Sequence, residues 1–226
     1  ISDDISLEKP MRRLVQGDVG SGKTVVAAVS MYISAKNKTQ SVLLCPTEVL
    51  AEQHFKNFSA WFKNSNIKIE LLTGKMPISK RRDIYQDLED GVIDILIGTH
   101  AVFQDKVKIK NLGLVVVDEQ QRFGVKQRFD LVKKSSDKII PHQLFMTATP
   151  IPRTLAMTIF ADLETSKIDE LPPGRKPVET LIYSDKKKDE IVKRLETVCK
   201  SGNQVFWLCT MIEESENLDV QAADEA

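Results

Sequence analysis

The sequence predicts an α/β fold in which a mostly parallel β-sheet carries helices on both faces. Short apolar runs alternate along the chain with longer amphipathic segments, an order typical of βαβ units. Each apolar run ends in small, hydroxyl-bearing or acidic residues, and parallel strands place their carboxyl ends at one edge of a sheet, where ligands bind. The 226 residues are enough for one complete domain of this kind and part of a second.

Six apolar runs are the predicted strands, at residues 13–16, 41–45, 68–72, 94–97, 112–117 and 143–146. Helices are predicted between them, because apolar residues recur there at helical spacing. These apolar positions, which we interpret as packing, are Ala51, Phe55, Phe58, Trp61, Phe62, Ile84 and Leu88.

Residues 171–177 indicate a boundary. This stretch contains three prolines and one glycine, which cannot continue a helix or an interior strand. We therefore expect one domain over residues 1–172, and a linker with the start of a second domain over 173–226. Predicted strands at 178–183 and 205–209 flank a helix with an apolar face of Ile191, Leu195 and Val198. The 54 residues from 173 to 226 are too few for a complete sheet, so the second domain is expected to be incomplete.

Residues 17–24 read Gly-Asp-Val-Gly-Ser-Gly-Lys-Thr, which is the spacing of a phosphate-binding P-loop. The glycines let backbone N–H groups turn toward an anion, and the following helix presents its positive end. Lys23 is expected to reach the β- and γ-phosphates, and the Thr24 hydroxyl to hold a Mg²⁺ ion. The expected phosphate contacts are Gly17, Gly20, Ser21, Gly22, Lys23 and Thr24.

An apolar strand that ends in Asp118 and Glu119 supplies the acidic half of such a site. Asp118 is expected to hold the Mg²⁺ ion, directly or through water. A carboxylate within hydrogen-bond reach is the simplest base for hydrolysis, so Glu119 is expected to orient and deprotonate the attacking water. An acid at a strand end can also simply cap a helix, but a P-loop in the same chain favours the hydrolytic interpretation.

Composition narrows the class of protein. The 32 basic and 32 acidic side chains give zero net charge, so any nucleic-acid binding must depend on local patches. No apolar run approaches the roughly eighteen residues that span a bilayer, and the start does not resemble a signal peptide. Cys45, Cys199 and Cys209 lack metal-ligand spacing, which favours buried, reduced thiols. We therefore expect a cytoplasmic protein without a membrane partner.

Several motifs together resemble the helicase core of the RecG family. RecG proteins are ATP-dependent bacterial DNA helicases of superfamily 2 that act on branched DNA. The resemblance runs from about Met11 to Ala226. The motifs that carry it lie at residues 17–24, 46–48, 98–100, 118–125 and 147–154, with further agreement at 170–175 and 212–216.

Two alternatives remain. The transcription-repair coupling translocase Mfd shares Arg-Phe-Gly-Val and Thr-Ala-Thr-Pro-Ile-Pro-Arg-Thr with this chain, whereas Ser21, Glu48, Gln120 and Gly174 favour RecG. A non-hydrolysing nucleotide- or DNA-binding module is the other alternative. It is disfavoured because Lys23, Thr24, Asp118 and Glu119 are all present, and a decayed ATPase does not need all four.

The resemblance implies a RecA-like P-loop domain and the start of a second one, with ATP and Mg²⁺ as cofactors. It also implies a monomer that moves on branched or forked DNA. Hydroxyls and backbone N–H groups suit contacts to the sugar-phosphate backbone, which position a protein without reading sequence. The residues expected to make such contacts are Pro46, Thr47, Thr73, Gly74, Gly98, Thr99, His100 and Arg153.

Two further roles follow from the resemblance. Thr147 and Thr149 are expected to couple the nucleotide site to a neighbouring domain, although spacing alone is also compatible with an ordinary strand and turn. Gln121, at a position where RecG proteins usually carry His, is expected to link the γ-phosphate to these threonines. Gln donates and accepts without titrating, so this coupling should survive without an ionisable imidazole.

The family's junction-binding wedge domain and its adenine-reading glutamine motif are expected upstream of Ile1, and its arginine fingers beyond Ala226. Because an arginine finger is worth about 10³–10⁵ in rate, the chain alone is expected to bind ATP weakly and to hydrolyse almost none.

Overall fold

The computed structural model describes residues 1–7, 9–119, 123, 140–149, 163–170, 174–175 and 178–208. Contacts divide the chain into two units, Ile1–Arg175 and Lys176–Ala226.

Within its described residues, the first unit forms a seven-stranded sheet in the order β3-β4-β2-β5-β6-β1-β7. Every neighbouring pair is parallel. The strands are β1 (Arg12–Gly17), β2 (Gln40–Leu44), β3 (Ile69–Leu72), β4 (Ile95–Gly98), β5 (Leu112–Val117), β6 (His142–Thr147) and β7 (Glu164–Ile168). The predicted parallel α/β fold is confirmed, and all six predicted strands form.

Strand β7 was not predicted. Its sequence, Glu-Thr-Ser-Lys-Ile, is mostly polar, and its residues are exposed or half-buried. It pairs with β1 at the edge of the sheet, so it does not need the continuous apolar run that marks a strand buried on both faces.

The helices are α1 (Ser2–Ile5), α2 (Lys23–Lys36), α3 (Glu48–Trp61), α4 (Ile78–Glu89) and, in the second unit, α5 (Lys188–Lys200). Their starting points follow from local chemistry. Helix α2 begins after Gly22, whose backbone is left-handed. Helix α3 begins after Thr47, whose hydroxyl accepts the N–H of Leu50 at 3.3 Å and caps the helix. Helix α4 follows Pro77.

The core lies on both faces of the sheet. Side chains alternate along each strand, so Val42 and Leu44 of β2 belong to one apolar cluster and Leu43 to the other. Helix α4 covers the first cluster, and α2 and α3 cover the second. The helix residues involved are Ile84 and Leu88 in the first cluster, and Ala27, Ala28, Met31, Ala51 and Phe58 in the second. Helices on both faces are thus confirmed.

Trp61, which was predicted as a packing position, lies at the margin of the core. It is 48% exposed, at the last residue of α3, and its ring stacks on that of buried Phe58 with 5.5 Å between centroids. Trp61 therefore covers the edge of the apolar cluster instead of filling it.

The described residues of the second unit form α5, preceded by a 3₁₀ turn at Asp185–Lys187, but no strand. Ile191, Leu195 and Val198 form the least exposed face of α5, as predicted. The predicted strands at 178–183 and 205–209 are not observed: 178–183 and 205–208 are irregular, and Cys209 lies outside the described residues. A strand needs neighbours to take its backbone hydrogen bonds, and these two segments do not pair.

Candidate nucleotide-binding site

The P-loop connects the end of β1 to the start of α2. Gly20 and Gly22 adopt φ angles of 82° and 97°, a left-handed conformation that side chains rarely tolerate. Turns of this kind gather successive backbone N–H groups into anion-binding nests. The first N–H groups of α2, which have no partner within the helix, face the same region with the positive end of the helix dipole. The local geometry therefore fits a phosphate group.

Lys23 stabilises the P-loop by hydrogen bonds to the loop's own backbone. Its Nζ donates to the carbonyl oxygens of Gly17 at 2.7 Å and Asp18 at 2.8 Å. An ammonium group has three N–H donors, so one remains for a phosphate oxygen. The loop is thus held in a cradle shape by the residue that sequence reasoning assigned to the phosphates.

Arg175 makes a contact with the P-loop that the sequence did not predict. Its guanidinium lies 2.7 Å from Oδ2 of Asp18 and donates to the carbonyl of Val19 at 3.1 Å. The backbone N–H of Val19, and then the Arg175 guanidinium, hold the pKa of the Asp18 carboxyl below its usual range. The residue that follows Gly174 therefore neutralises the one acidic side chain of the loop.

Asp118 is positioned at the end of β5 by three hydrogen bonds. Its backbone N–H donates to Leu44 of β2 at 2.9 Å. Its Oδ1 accepts the backbone N–H of Glu119 at 3.0 Å, and its Oδ2 lies 2.9 Å from Nε2 of His54. Only 13% of the side chain is exposed. Each carboxylate oxygen keeps further acceptor capacity, which fits the expected role in holding a hydrated cation.

Glu119 follows with a φ of 46°, an unusual backbone angle for a residue other than glycine. Its side chain is half-buried.

The sheet order brings the two halves of the site to one edge. Strand β6 lies between β1, which leads into the P-loop, and β5, which leads into Asp118. The register pairs Gln16 with Thr147 and Val117 with Phe145, so β1 ends one residue beyond β6 and β5 ends two residues before it. All three strands end at the same edge of the sheet. P-loop, Thr147 and acidic pair are therefore neighbours, as the sequence predicted.

Thr147 and Thr149 bond to each other. Thr147 is fully buried, and its Oγ1 lies 2.9 Å from the hydroxyl of Thr149 and accepts the Thr149 N–H at 3.2 Å. Thr149 is exposed. These bonds describe a local turn, and the coupling role of the pair stays a prediction. Gln121 and Arg153 lie outside the described residues.

Cys45 lies beside the acidic pair. It follows β2 directly and is 0% exposed, and burial, with a further contribution from the Asp118 carboxylate, raises the pKa of its thiol. Cys199 on α5 is exposed, contrary to the expectation of buried thiols, because it lies off the apolar face of an amphipathic helix.

The residues assigned to DNA contacts follow β2, β3 and β4. The loops after β2 and β3 touch, since Glu48 forms a 3.0 Å ion pair with Lys75. Thr73 and Thr99 are only 6% and 8% exposed, and the hydroxyl of Thr47 caps α3. The backbone N–H groups of Thr73 and Thr99 already donate to Met76 and Leu72, so the remaining hydroxyl donor of exposed Thr47 is the more accessible partner for a phosphate chain.

His100 and Gly98 contribute in different ways. His100 is exposed, and its ring lies 5.7 Å from that of buried Phe123 and 6.1 Å from that of Phe103. Gly98 has a packing role that the sequence did not reveal, because a Cβ there would lie 2.6 Å from the carbonyl oxygen of Leu72. Its assignment as a DNA contact stays a prediction.

No helix in the described ranges is long and apolar enough to cross a membrane.

Known proteins resemble this chain along its whole length. The DEAD/DEAH box helicase family matches residues 5–158. The ATP-dependent DNA helicase RecG of Haemophilus influenzae is 50% identical over 226 residues, which cover 99% of this chain and 33% of that protein. RecG of Aquifex aeolicus is 49% identical over 225 residues, which cover 100% and 28%. The chain thus spans about a third of the length of these relatives.

A solved structure of RecG bound to a three-way DNA junction aligns with a TM-score of 0.72 and 39% identity, covering 89% of this chain and 27% of that one. The similarity to RecG that the motifs indicated is thereby confirmed, and so is the RecA-like sheet. Nucleotide use is a property that the names of these relatives imply. On this evidence the chain belongs to the DEAD/DEAH box helicase family.

Proposed function

We propose that this chain forms the first nucleotide-binding unit of an ATP-dependent DNA helicase that acts on branched or forked DNA in recombination and repair. The observation that carries the proposal is the sheet order, in which the P-loop strand, the Thr147 strand and the Asp118 strand are neighbours. The relatives named RecG, and the RecG structure with a three-way junction, support the choice of DNA over other substrates. Hydrolysis would drive movement on DNA by opening and closing a cleft, without covalent work on the DNA.

The described residues fit ATP and Mg²⁺. The P-loop N–H groups, Lys23 and the Thr24 hydroxyl would hold the phosphates and the cation on one side, and Asp118 would hold the cation on the other. The bound Mg²⁺ ion would neutralise charge that develops on the phosphates. Glu119, one residue beyond Asp118, would orient a water molecule and accept its proton.

Local charge can supply the attraction for DNA that the net charge does not. Three exposed basic side chains follow the Thr73-Gly74 pair: Lys75, which also pairs with Glu48, and Lys80 and Arg82 in α4. They would strengthen phosphate contacts made by the backbone of that loop, and the resulting affinity would fall steeply with salt.

We propose that the protein acts as a cytoplasmic monomer.

The chain corresponds to only about a third of the length of its relatives, which limits the activity expected of the chain alone. About two thirds of those proteins lies outside the matched region, and ATP sites of this class are completed by groups such as arginine fingers. We therefore propose that the chain alone binds ATP weakly and that turnover requires the intact protein.

Two substitutions in the intact protein test the proposal. Lys23→Ala should abolish ATP binding, measured with a fluorescent ATP analogue, because the phosphate charge loses its partner. Glu119→Gln should keep ATP binding but reduce hydrolysis stimulated by forked DNA by at least about a hundredfold, the lower range for a general base. Lys36→Ala, at the other end of α2, is the matched control and should change neither. Unchanged ATP binding by Lys23→Ala would refute the nucleotide site.

A further inference from the structure

His54 contacts the acidic end of β5 although nothing in the P-loop or acidic motifs predicts it. It lies two turns into α3, and its Nε2 is 2.9 Å from Oδ2 of Asp118, 64 positions along the chain. Its side chain is 8% exposed, and its ring packs edge-on against Phe58 with 6.2 Å between centroids. A polar ring is therefore buried against the carboxylate that is expected to hold the cation.

The direction of this hydrogen bond follows from chemistry. A carboxylate is an acceptor, so Nε2 of His54 must carry the hydrogen and donate it to Oδ2. The other oxygen, Oδ1, accepts the backbone N–H of Glu119 at 3.0 Å. Each oxygen of Asp118 thus has one fixed donor, and rotation of the carboxylate would break both bonds.

The other nitrogen of the imidazole argues against a role in packing alone. Nδ1 of His54 is buried and has no hydrogen-bond partner among the described residues. A buried polar atom without a partner is costly, and a leucine or phenylalanine at this site would avoid that cost. The bond made by Nε2 is what distinguishes histidine from an apolar residue here.

We propose that His54 is a positioning residue for Asp118: it fixes the carboxylate in the orientation that holds the cation and ties it to α3. This inference rests on the proposed nucleotide site. Groups that hydrogen-bond to metal ligands orient them, and their loss typically lowers metal affinity or activity about 10- to 100-fold. Because α3 starts directly after Thr47, His54 also joins the loop assigned to DNA contacts to the acidic pair by one rigid helix.

The test measures the Mg²⁺ requirement of nucleotide binding in the intact protein. A fluorescent ATP analogue is titrated with Mg²⁺, and its affinity is measured separately in EDTA. His54→Phe keeps a ring but has no donor, and we expect the Mg²⁺ concentration at half-saturation to rise at least about tenfold with the affinity in EDTA unchanged. His54→Gln can place an amide N–H near the position of Nε2 and should recover to within about threefold of wild type, whereas the shorter His54→Asn should behave like His54→Phe.

The outcomes separate this inference from the proposed function. A shift of less than about twofold for both His54→Phe and His54→Asn, in a protein whose ATP binding still depends on Mg²⁺ and Lys23, overturns the role of His54 alone. An equal loss of affinity in EDTA and in Mg²⁺ also overturns it, because that result indicates general damage to the fold. If wild type binds no nucleotide in either condition, the proposed function fails as well. Gln53→Phe, on the exposed side of α3, is the control and should leave the Mg²⁺ requirement unchanged.

Discussion

Gln40 is a buried cross-link at the end of the sheet opposite the site, and replacing it with leucine should destabilise the first unit. Its Nε2 donates to the carbonyls of Leu88 at 3.1 Å and Ile93 at 2.8 Å, and its Oε1 accepts the N–H of Asn111 at 3.0 Å. The side chain is 5% exposed. It thereby ties β2 to the end of α4, to the approach to β4 and to the approach to β5. The β2–β5 register shifts at this same residue.

The size of the effect follows from the groups that would lose a partner. The Leu88 carbonyl also accepts the N–H of Gly91 at 3.2 Å, so it stays bonded when Gln40 is replaced. The Ile93 carbonyl would lose a bond in a buried place and the Asn111 N–H would lose one in a partly buried place, at about 1–3 kcal/mol for the first and toward the lower end of that range for the second. Leucine regains part of this by burying more apolar surface, so the free energy of unfolding should fall by about 2–4 kcal/mol. For a chain of this size that corresponds to a decrease in Tm of about 4–16 °C.

The assay is thermal and urea unfolding of the purified chain, followed by circular dichroism at 222 nm. Gln53→Leu makes the same chemical change on an exposed face of α3 and should stay within about 0.5 kcal/mol of wild type. If Gln40→Leu unfolds within about 1 kcal/mol of wild type while the control behaves as expected, the reasoning from unpaired buried groups is wrong for this site.

Three further predictions concern a pKa, a thiol and an ion pair. Burial holds the pKa of His142 below its usual value, and its Nδ1 accepts the Met11 N–H at 3.0 Å. Below about pH 6.5 the unfolded state therefore binds more protons than the folded state. The free energy of unfolding should fall as the pH drops from 7.5 to 5.5. His142→Asn, which keeps an acceptor, should flatten that slope in a Tm series, and an unchanged slope would contradict the assignment. Cys45 should resist alkylation in the native protein and react only after denaturation, whereas exposed Cys199 should react at once. Mass spectrometry of digested peptides measures the labelling of both thiols. Rapid labelling of Cys45 in the native protein would refute its burial. Arg175→Ala should weaken ATP binding by the intact protein modestly, by up to about fivefold at low salt, since exposed ion pairs contribute little. The difference should shrink at 300 mM salt, and equal affinities at low salt would show that the pair does not matter.

Local patterns sufficed for the parts of the site that are continuous in sequence. The P-loop and the acidic pair are short motifs at strand ends, and apolar runs revealed the six strands from β1 to β6. Strand β7 was missed because an edge strand needs little apolar sequence. The segments at 178–183 and 205–208 have the composition of strands but lack paired neighbours, and pairing is a tertiary property.

Contacts between distant residues could not be predicted. His54 reaches Asp118 only because β2 and β5 are neighbours, which aligns α3 with the end of β5. One signal was present: His54 follows Ala51 by three residues and precedes Phe58 by four, which places a polar ring on the buried face of α3. The contact between Arg175 and Asp18 spans the whole first unit and carries no such signal.

At position 119, stability and catalysis favour different residues. A left-handed φ costs a residue with a side chain about 1–2 kcal/mol relative to glycine, which adopts it without strain. Glycine at this position would therefore favour the folded chain and at the same time remove the proposed base. Selection for heat resistance alone would tend to replace Glu119, whereas selection for turnover would retain it. Any effort to stabilise this protein by consensus or by screening for thermal resistance should leave this residue unchanged.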